Sequence, residues 1–230
     1  LPVGKIQHSA WQISLVEQQS LQQRLALYAA AVTPTTMRQW RIEPTVNMNL
    51  RLPTEATALW VSVDASSARA KRRAKVWLEY LLWLSYANYS DEQALKLQRI
   101  AIFSDATIIN TGLTSAQAKG YLADWFKAYA YAQQQPLVLP AALLLHLAET
   151  GKTLAWESDA FGQNSLANFT DLLKEWHAEA AKFMGSFSVE DNEATKFHRD
   201  WQFILQEQDA TALLNSACAQ FAYALYQPIY

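Results

Sequence analysis

The stretch from Val61 to Trp83, VSVDASSARAKRRAKVWLEYLLW, is the feature that most constrains how this chain can fold. It opens as a short apolar, β-branched run, which is typical of a strand, and that run ends on a carboxylate, Asp64. Basic residues and then an aromatic-rich helical pattern follow, and they predict a long helix from about Ser67 to Tyr89. The fold must therefore accommodate sheet and helix together.

The flanking segments extend this mixed pattern. Apolar residues spaced among glutamines predict one or two helices in Gln7–Val32, and the prolyl segment Thr33–Thr36 ends them. Alternation of apolar and polar residues predicts strands at Val46–Leu52 and Ala58–Val63, which we expect to be neighbours under the long helix. A β-hairpin is predicted around Ser104–Ala106.

The C-terminal part of the sequence predicts mainly helices. Thr114, with Gln117 three residues on, has the pattern of a capping box and should begin a helix. Further helices are predicted near 141–149, 165–184, 193–206 and 210–226, with a loop at 151–164. The predicted organisation is a mixed α/β core in residues 1–135 and a helical extension in 136–230 that packs on the core.

Composition narrows the class of protein. A chain that is 51% hydrophobic and 17% charged is globular rather than disordered. Its net charge of −2 provides no overall basic field, so any contact with nucleic acid must come from a local patch. The single cysteine, Cys218, excludes a disulfide framework and fits a reducing cytoplasm. No apolar run reaches transmembrane length, and the start on LPVG without Met indicates a fragment of a longer protein.

Two short motifs fail when their full patterns are applied. Gly151–Thr153 reads GKT, but a phosphate-binding loop needs a glycine where His146 stands, so Gly151 is better interpreted as a helix C-cap. His198–Asp200 reads HRD, but the asparagine of a kinase catalytic loop is replaced by Leu205. Neither motif predicts a nucleotide site.

The histidines and the cysteine are interpreted as structural residues. No metal-ligand spacing joins the four histidines, His8, His146, His177 and His198. Cys218 stands in an apolar helical pattern with Leu214 and Phe221, which predicts buried packing. We expect no metal site and no cofactor in this chain.

Asp64 beside a basic cluster raises the hypothesis of a metal-dependent nuclease. Nucleases of the PD-(D/E)xK class hold metal with two carboxylates and place a lysine two residues after the second one. No lysine in the sequence has an acidic residue two positions before it. Asp64 is therefore interpreted as a solvated or helix-capping carboxylate, and a divergent nuclease using Asp64, Glu55 and Glu79 remains as an alternative.

The basic cluster itself is a candidate binding site. If Ser66 or Ser67 caps the helix, the cluster lies in its first turns and opposes the helix dipole. An anionic partner, either DNA phosphate or an acidic surface of another subunit, would offset that repulsion, and a solvated basic face is the alternative. The candidate residues are Arg69, Lys71, Arg72, Arg73 and Lys75.

Several segments, taken in chain order, resemble one known family. They are LPVG heading a helix, the basic segment leading into VWLEYLLW, LTSAQAKGYLADWFKAYAYAQQQPLVLP, FHRDWQFIL and the terminal ALYQPIY. Together they resemble the C-terminal domain of the gamma subunit of exodeoxyribonuclease V, the RecC chain of the bacterial RecBCD helicase–nuclease. The likeness covers nearly the whole sequence.

This resemblance implies a fold and a role. The fold would be a degenerate PD-(D/E)xK nuclease-like core without catalytic residues, followed by additional helices. The function would be that of a cytoplasmic, non-catalytic scaffold in DNA repair and recombination, which binds RecB, RecD and DNA. ATP and Mg²⁺ would act on the partner subunits. A helical protein-interaction module unrelated to DNA is the remaining alternative, and it would lack such a sheet.

Overall fold

The computed structural model describes residues 3–28, 32–43, 46–87, 89–135, 137, 139, 141–149 and 216–229. The predicted loop at 151–164, the predicted helices at 165–184 and 193–206, and both short motifs, GKT and HRD, lie outside these ranges. His177 and His198 also lie outside these ranges, and of His8 and His146 only the backbone is described.

Helices and strands are interspersed in chain order, as expected of a mixed α/β chain. The segment 210–226 is described from residue 216 onward and is helical there. A 3₁₀ turn, Gln227–Ile229, follows the last helix. The elements are α1 (Val3–Ala26), β1 (Thr35–Glu43), β2 (Val46–Pro53), β3 (Leu59–Val63), α2 (Ala70–Tyr86), α3 (Asp91–Ala94), β4 (Gln98–Ile102), β5 (Thr107–Asn110), α4 (Ser115–Ala132), α5 (Ala141–Glu149) and α6 (Ser216–Tyr226).

Strands β3, β4 and β5 form a three-stranded sheet in that order. β3 and β4 run parallel, and the chain passes between them through α2 and α3. β4 and β5 form the predicted hairpin, whose turn is closed by the Phe103 amide donating to the Ala106 carbonyl at 2.8 Å. The parallel pair thus carries a helical crossover, as a parallel connection requires.

Both faces of this sheet are covered by helices. On one face the buried side chains of Val61, Ile100 and Ile102 contact Leu21 and Leu25 of α1. On the other face Ala101 packs with Val76 of α2. Coverage on both sides explains why β3 and β4 read as nearly continuous apolar runs rather than alternating ones.

Strands β1 and β2 form a separate two-stranded antiparallel ribbon. The prediction that Val46–Leu52 and Ala58–Val63 are neighbours is therefore wrong, although both segments are strands. A short connection lets β2 pair with the strand just before it, and Thr33 occupies the edge of β3. The Thr33 amide donates to the Val61 carbonyl at 2.9 Å, and the Val61 amide donates to Thr33 Oγ1 at 2.8 Å.

The observed fold confirms a mixed α/β chain with small sheets flanked by helices, and it contradicts a purely helical module. Likeness to a PD-(D/E)xK nuclease core stays a prediction. No helix in the described ranges is long and apolar enough to cross a membrane.

The chain divides into two compact units, Leu1–Leu122 and Ala123–Tyr230. In the second unit Trp125 packs on Tyr226 with ring centroids 5.8 Å apart, and Cys218 is buried as predicted. Much of the predicted extension, 136–230, lies outside the described residues, so its boundary stays a prediction.

The start of α4 shows how local sequence sets an element boundary. The Gln117 amide donates to Thr114 Oγ1 at 3.1 Å and the Thr114 amide donates to Gln117 Oε1 at 3.0 Å, which confirms the capping box. Gly112, two residues earlier, has φ of 80°, a left-handed conformation that favours glycine.

Gly112 and Gly120 provide a matched pair of substitutions. A Cβ added at either position meets no atom within 4 Å, so only backbone preference differs. We expect Gly112→Ala to lower the free energy of unfolding by about 1 kcal/mol. Gly120→Ala, inside α4, should raise it by about 0.5–1 kcal/mol. Urea unfolding of both variants measures the two changes. Equal effects would contradict the different backbone conformations of Gly112 and Gly120.

Candidate nucleic-acid interface

The carboxyl ends of β3 and β4 form one edge of the sheet, where ligands of open α/β sheets commonly bind. The loop after β3 and the turn after β4 are joined there by backbone hydrogen bonds. The Asp64 amide donates to the Ile102 carbonyl at 2.8 Å, and the Ser104 amide donates to the Ser66 carbonyl at 3.1 Å. This edge is therefore a defined surface that places Asp64 beside the start of α2.

Asp64 stabilises its own loop. Its Oδ1 atom accepts hydrogen bonds from the hydroxyl and the amide of Ser66. Those two bonds, first the hydroxyl and then the amide, hold the pKa of Asp64 below its usual value, and Arg72 at 3.9 Å adds to the effect. The interpretation of Asp64 as a solvated carboxylate agrees with its exposure, but it caps a turn rather than the helix.

Helix α2 begins without a side-chain cap. Arg69 is the N-cap residue, and no side chain accepts from the first amides of the helix. The prediction that Ser66 or Ser67 caps this helix is wrong because both hydroxyls are engaged elsewhere. Ser66 donates to Asp64, and Ser67 Oγ accepts from Arg69 Nε at 3.0 Å.

The five basic residues fall into two groups. Arg72 and Arg73 are only partly exposed, because they donate to the carbonyls of Ser67 and Ala68 at 3.0 and 2.9 Å. Their guanidinium groups hold the loop against the helix. The exposed members of the cluster are Arg69, Lys71 and Lys75.

A buried arginine lies under the same helix, and sequence reasoning missed it. Arg99, on β4, is 3% exposed and donates to Glu79 Oε2 at 2.7 Å and to Ser62 Oγ at 2.8 Å. Its guanidinium carbon also lies 4.3 Å from the ring centroid of Trp60. Burial lowers the pKa of Arg99 and Glu79 opposes that shift, so the group stays charged. The one available signal was a basic residue inside an apolar strand.

The structure does not bring Asp64, Glu55 and Glu79 together as a metal cage. Glu79 pairs with Arg99, Asp64 accepts from Ser66, and Glu55 is exposed in the connection between β2 and β3. Within the described ranges no group of three or more His, Cys, Asp or Glu residues could hold a metal ion. The geometry therefore gives the divergent-nuclease alternative no support.

Comparison with known families decides the class of protein. The family profile of the RecC C-terminal domain matches residues 1–152. The chain belongs to the RecC C-terminal domain family. The match spans every element from α1 to α5, including the basic cluster and the sheet edge beside it. No curated protein matches the chain.

Membership in this family confirms the resemblance drawn from the sequence. It implies that the chain is part of a gamma subunit of exodeoxyribonuclease V, and so of a protein of DNA repair and recombination. The alternative of a module unrelated to DNA is thereby excluded.

The Arg99–Glu79 pair should be a major support of this RecC domain. Glu79→Ala leaves a buried guanidinium without an opposing charge, so we expect the free energy of unfolding to fall by about 3 kcal/mol. Replacing both partners, Glu79→Leu with Arg99→Met, should recover most of that loss, because no charge is then left buried. Urea unfolding of the variants measures both effects.

Glu92→Ala is the matched control for this test. Glu92 pairs with Lys96 at 2.8 Å, but both side chains are well exposed, so its loss should cost less than about 0.5 kcal/mol. Similar losses for Glu79→Ala and Glu92→Ala would contradict a special role for the buried pair.

Proposed function

We propose that this chain is a non-catalytic domain of the gamma subunit of the ATP-dependent exodeoxyribonuclease V complex, which acts in double-strand break repair and homologous recombination. In this role it supports assembly with RecB and RecD and guides DNA strands. The match to the RecC C-terminal domain over residues 1–152 is the observation that carries the proposal. ATP and Mg²⁺ would be bound by the partner subunits.

The interactions of the Glu79 and Asp64 carboxylates support a non-catalytic role. A metal ion at Glu79 would have to compete with Arg99 for the same carboxylate, and Arg99 is buried with no other acidic partner among the described residues. At Asp64, Oδ1 already accepts two hydrogen bonds from Ser66, and Oδ2 lies 3.9 Å from Arg72, whose positive charge opposes a metal ion. Both carboxylates are thus engaged with groups of the fold itself.

The exposed part of the basic cluster supports contact with a polyanion. Lys71 and Lys75 lie four residues apart on α2, which places them on one face about 6 Å apart along the helix axis. Backbone amides at a helix N-terminus also attract anions, so phosphate is favoured beside these lysines. Contacts of this kind position a strand without reading its sequence.

The non-catalytic role is tested with Asp64→Ala in the complete RecC chain, assembled with RecB and RecD. We expect DNA cleavage by the complex to stay within about twofold of wild type, since a lost catalytic metal ligand would cost several kcal/mol. The isolated chain should hydrolyse neither DNA nor ATP. Glu92→Ala controls for loss of an exposed carboxylate, and a large fall in cleavage confined to Asp64→Ala would refute the proposal.

Strand guidance is tested with Lys71→Ala and Lys75→Ala together, because Arg72 and Arg73 also hold the loop. In the assembled complex, affinity for single-stranded DNA should depend less steeply on salt, by about 1.4 in the slope of log K against log salt for two phosphates. Lys96→Ala with Lys127→Ala removes two other exposed lysines as a control.

Two outcomes would redirect this part of the proposal. Lost assembly with unchanged DNA affinity would mean that the lysines meet an acidic surface of RecB or RecD. Unchanged affinity and unchanged assembly would leave Lys71 and Lys75 as a solvated face.

A further inference from the structure

The turn between β4 and β5, Phe103–Ala106, is held from several sides. Its own closing bond joins the Phe103 amide to the Ala106 carbonyl. Arg24 of α1 donates from Nη1 to the Phe103 carbonyl at 3.0 Å. Phe103 is buried in a cluster with Ala68, and Ala106 packs against that cluster. The side chains of this turn therefore stand at fixed places beside the loop that leads into α2.

Three hydrogen bonds join that loop to β4 and its turn. Two of them are made between backbone groups, by the amides of Asp64 and Ser104. The third uses a side chain, because the Ala68 amide donates to Asp105 Oδ1 at 2.7 Å. Asp105 thus reaches across 37 positions of sequence to the residue that comes immediately before the N-cap of α2, Arg69.

The start of α2 needs support of this kind. The helix has no side-chain cap of its own, and its first turns carry several like charges that oppose the helix dipole. Helix ends also open more readily than helix centres. Arg72 and Arg73 tie the loop to the helix, whereas Asp105 ties the loop to the sheet. Asp105 is therefore the side chain that fixes the start of the helix relative to the sheet edge.

We propose that Asp105 is a positioning residue for single-stranded DNA, because it holds the start of α2 in the conformation in which Lys71 and Lys75 meet the phosphates of a strand. Asp105 acts through the Ala68 amide and makes no contact with DNA itself. The inference rests on the proposed function, since it takes DNA as the partner of the two lysines, and it adds a residue from another element to that site.

The charge of Asp105 makes this role testable, because charge and position act in opposite directions. Asp105 is exposed, and a carboxylate beside the basic cluster repels an approaching phosphate. If Asp105 acted by charge alone, its removal would raise the affinity for DNA. If Asp105 holds the helix start, its removal lowers the affinity, because Lys71 and Lys75 must then be ordered when the strand binds.

The test uses the complete RecC chain assembled with RecB and RecD, without ATP or Mg²⁺ so that DNA is not consumed. Binding of a fluorescent oligothymidylate is measured over a range of KCl concentrations. Asp105→Ala should lower the affinity about three- to tenfold at each concentration. Asp105→Asn removes the charge but keeps an oxygen that can accept from the Ala68 amide, so its affinity should equal or exceed that of the wild type. An affinity of Asp105→Ala at or above the wild-type value would overturn the inference.

Asp91→Ala is the matched control. Asp91 is also exposed, and it accepts from a distant backbone amide, that of Ser115 at 3.1 Å, at the start of α4. This variant loses the same charge and the same kind of hydrogen bond, but α4 carries no part of the basic cluster. Its affinity for DNA should stay close to that of the wild type. A fall as large as that of Asp105→Ala would refute a specific role for Asp105.

A second pair of variants decides the question if Asp105→Ala does not assemble. Asparagine and glutamine carry the same uncharged amide group and differ by one methylene. Asp105→Gln displaces the acceptor oxygen from its place opposite the Ala68 amide, so it should bind the oligothymidylate more weakly than Asp105→Asn does. Equal affinities of these two variants would overturn the inference, because charge is the same in both.

The variant that lacks Lys71 and Lys75 separates this inference from the proposed function. If that variant flattens the salt dependence for single-stranded DNA while Asp105→Ala binds as tightly as the wild type, the inference fails and the proposed function stands. If the lysine variant changes neither the salt dependence nor the affinity, strand guidance by these lysines fails, and the inference fails with it.

Discussion

Arg99 lies on the central strand β4 with its charge enclosed between the sheet and α2, and this buried charge constrains much of the first unit. A guanidinium that is almost fully removed from water must have an opposing charge and hydrogen-bond acceptors within reach. Glu79 of α2, Ser62 of β3 and the ring of Trp60 meet that need. The angle and depth at which α2 lies on the sheet are therefore set by a polar requirement as well as by packing of Val76 and Trp83.

The position of α2 in turn decides what its basic start can do. With the helix fixed on the sheet, the loop after β3 is drawn beside the turn after β4, and Asp64 and Asp105 are used to hold backbone amides. Arg72 and Arg73 bond to loop carbonyls and so become part of the fold. Lys71 and Lys75 are exposed, so a charged partner can reach them, although Lys75 also lies 3.9 Å from Glu79. The basic residues look alike in the sequence, but in the structure Arg72 and Arg73 stabilise the loop, whereas Lys71 and Lys75 are exposed to a binding partner.

The sequence predicted the elements better than their pairing. The hairpin at β4 and β5, the capping box at Thr114 and the helix α5 were all readable, because turn residues, a capping pattern and helical periodicity are local signals. The pairing of β2 was not. β2 and β3 both read as strands, but whether they are neighbours depends on what occupies the edge of β3, and Thr33 takes that edge from a distant position in the chain. The candidate site itself stays a prediction. The expected serine cap of α2 is absent for the same reason, because the partners of Ser66 and Ser67 are decided by the folded loop.

By itself the sequence determined the mixed α/β class, the absence of any lysine that follows an acidic residue at the spacing of a PD-(D/E)xK nuclease, and the resemblance to the RecC family. These follow from residue identity and spacing along the chain, which need no coordinates. Only the tertiary structure decided that Glu79 pairs with Arg99, that Asp64 accepts hydrogen bonds from Ser66, and that β1 and β2 form a ribbon separate from the other sheet. Those outcomes depend on which side chains meet across distances of up to tens of residues in sequence. The partner of a buried charge or of an open strand edge is set by which residues the fold brings near it. The residues next to it in the sequence do not indicate that partner.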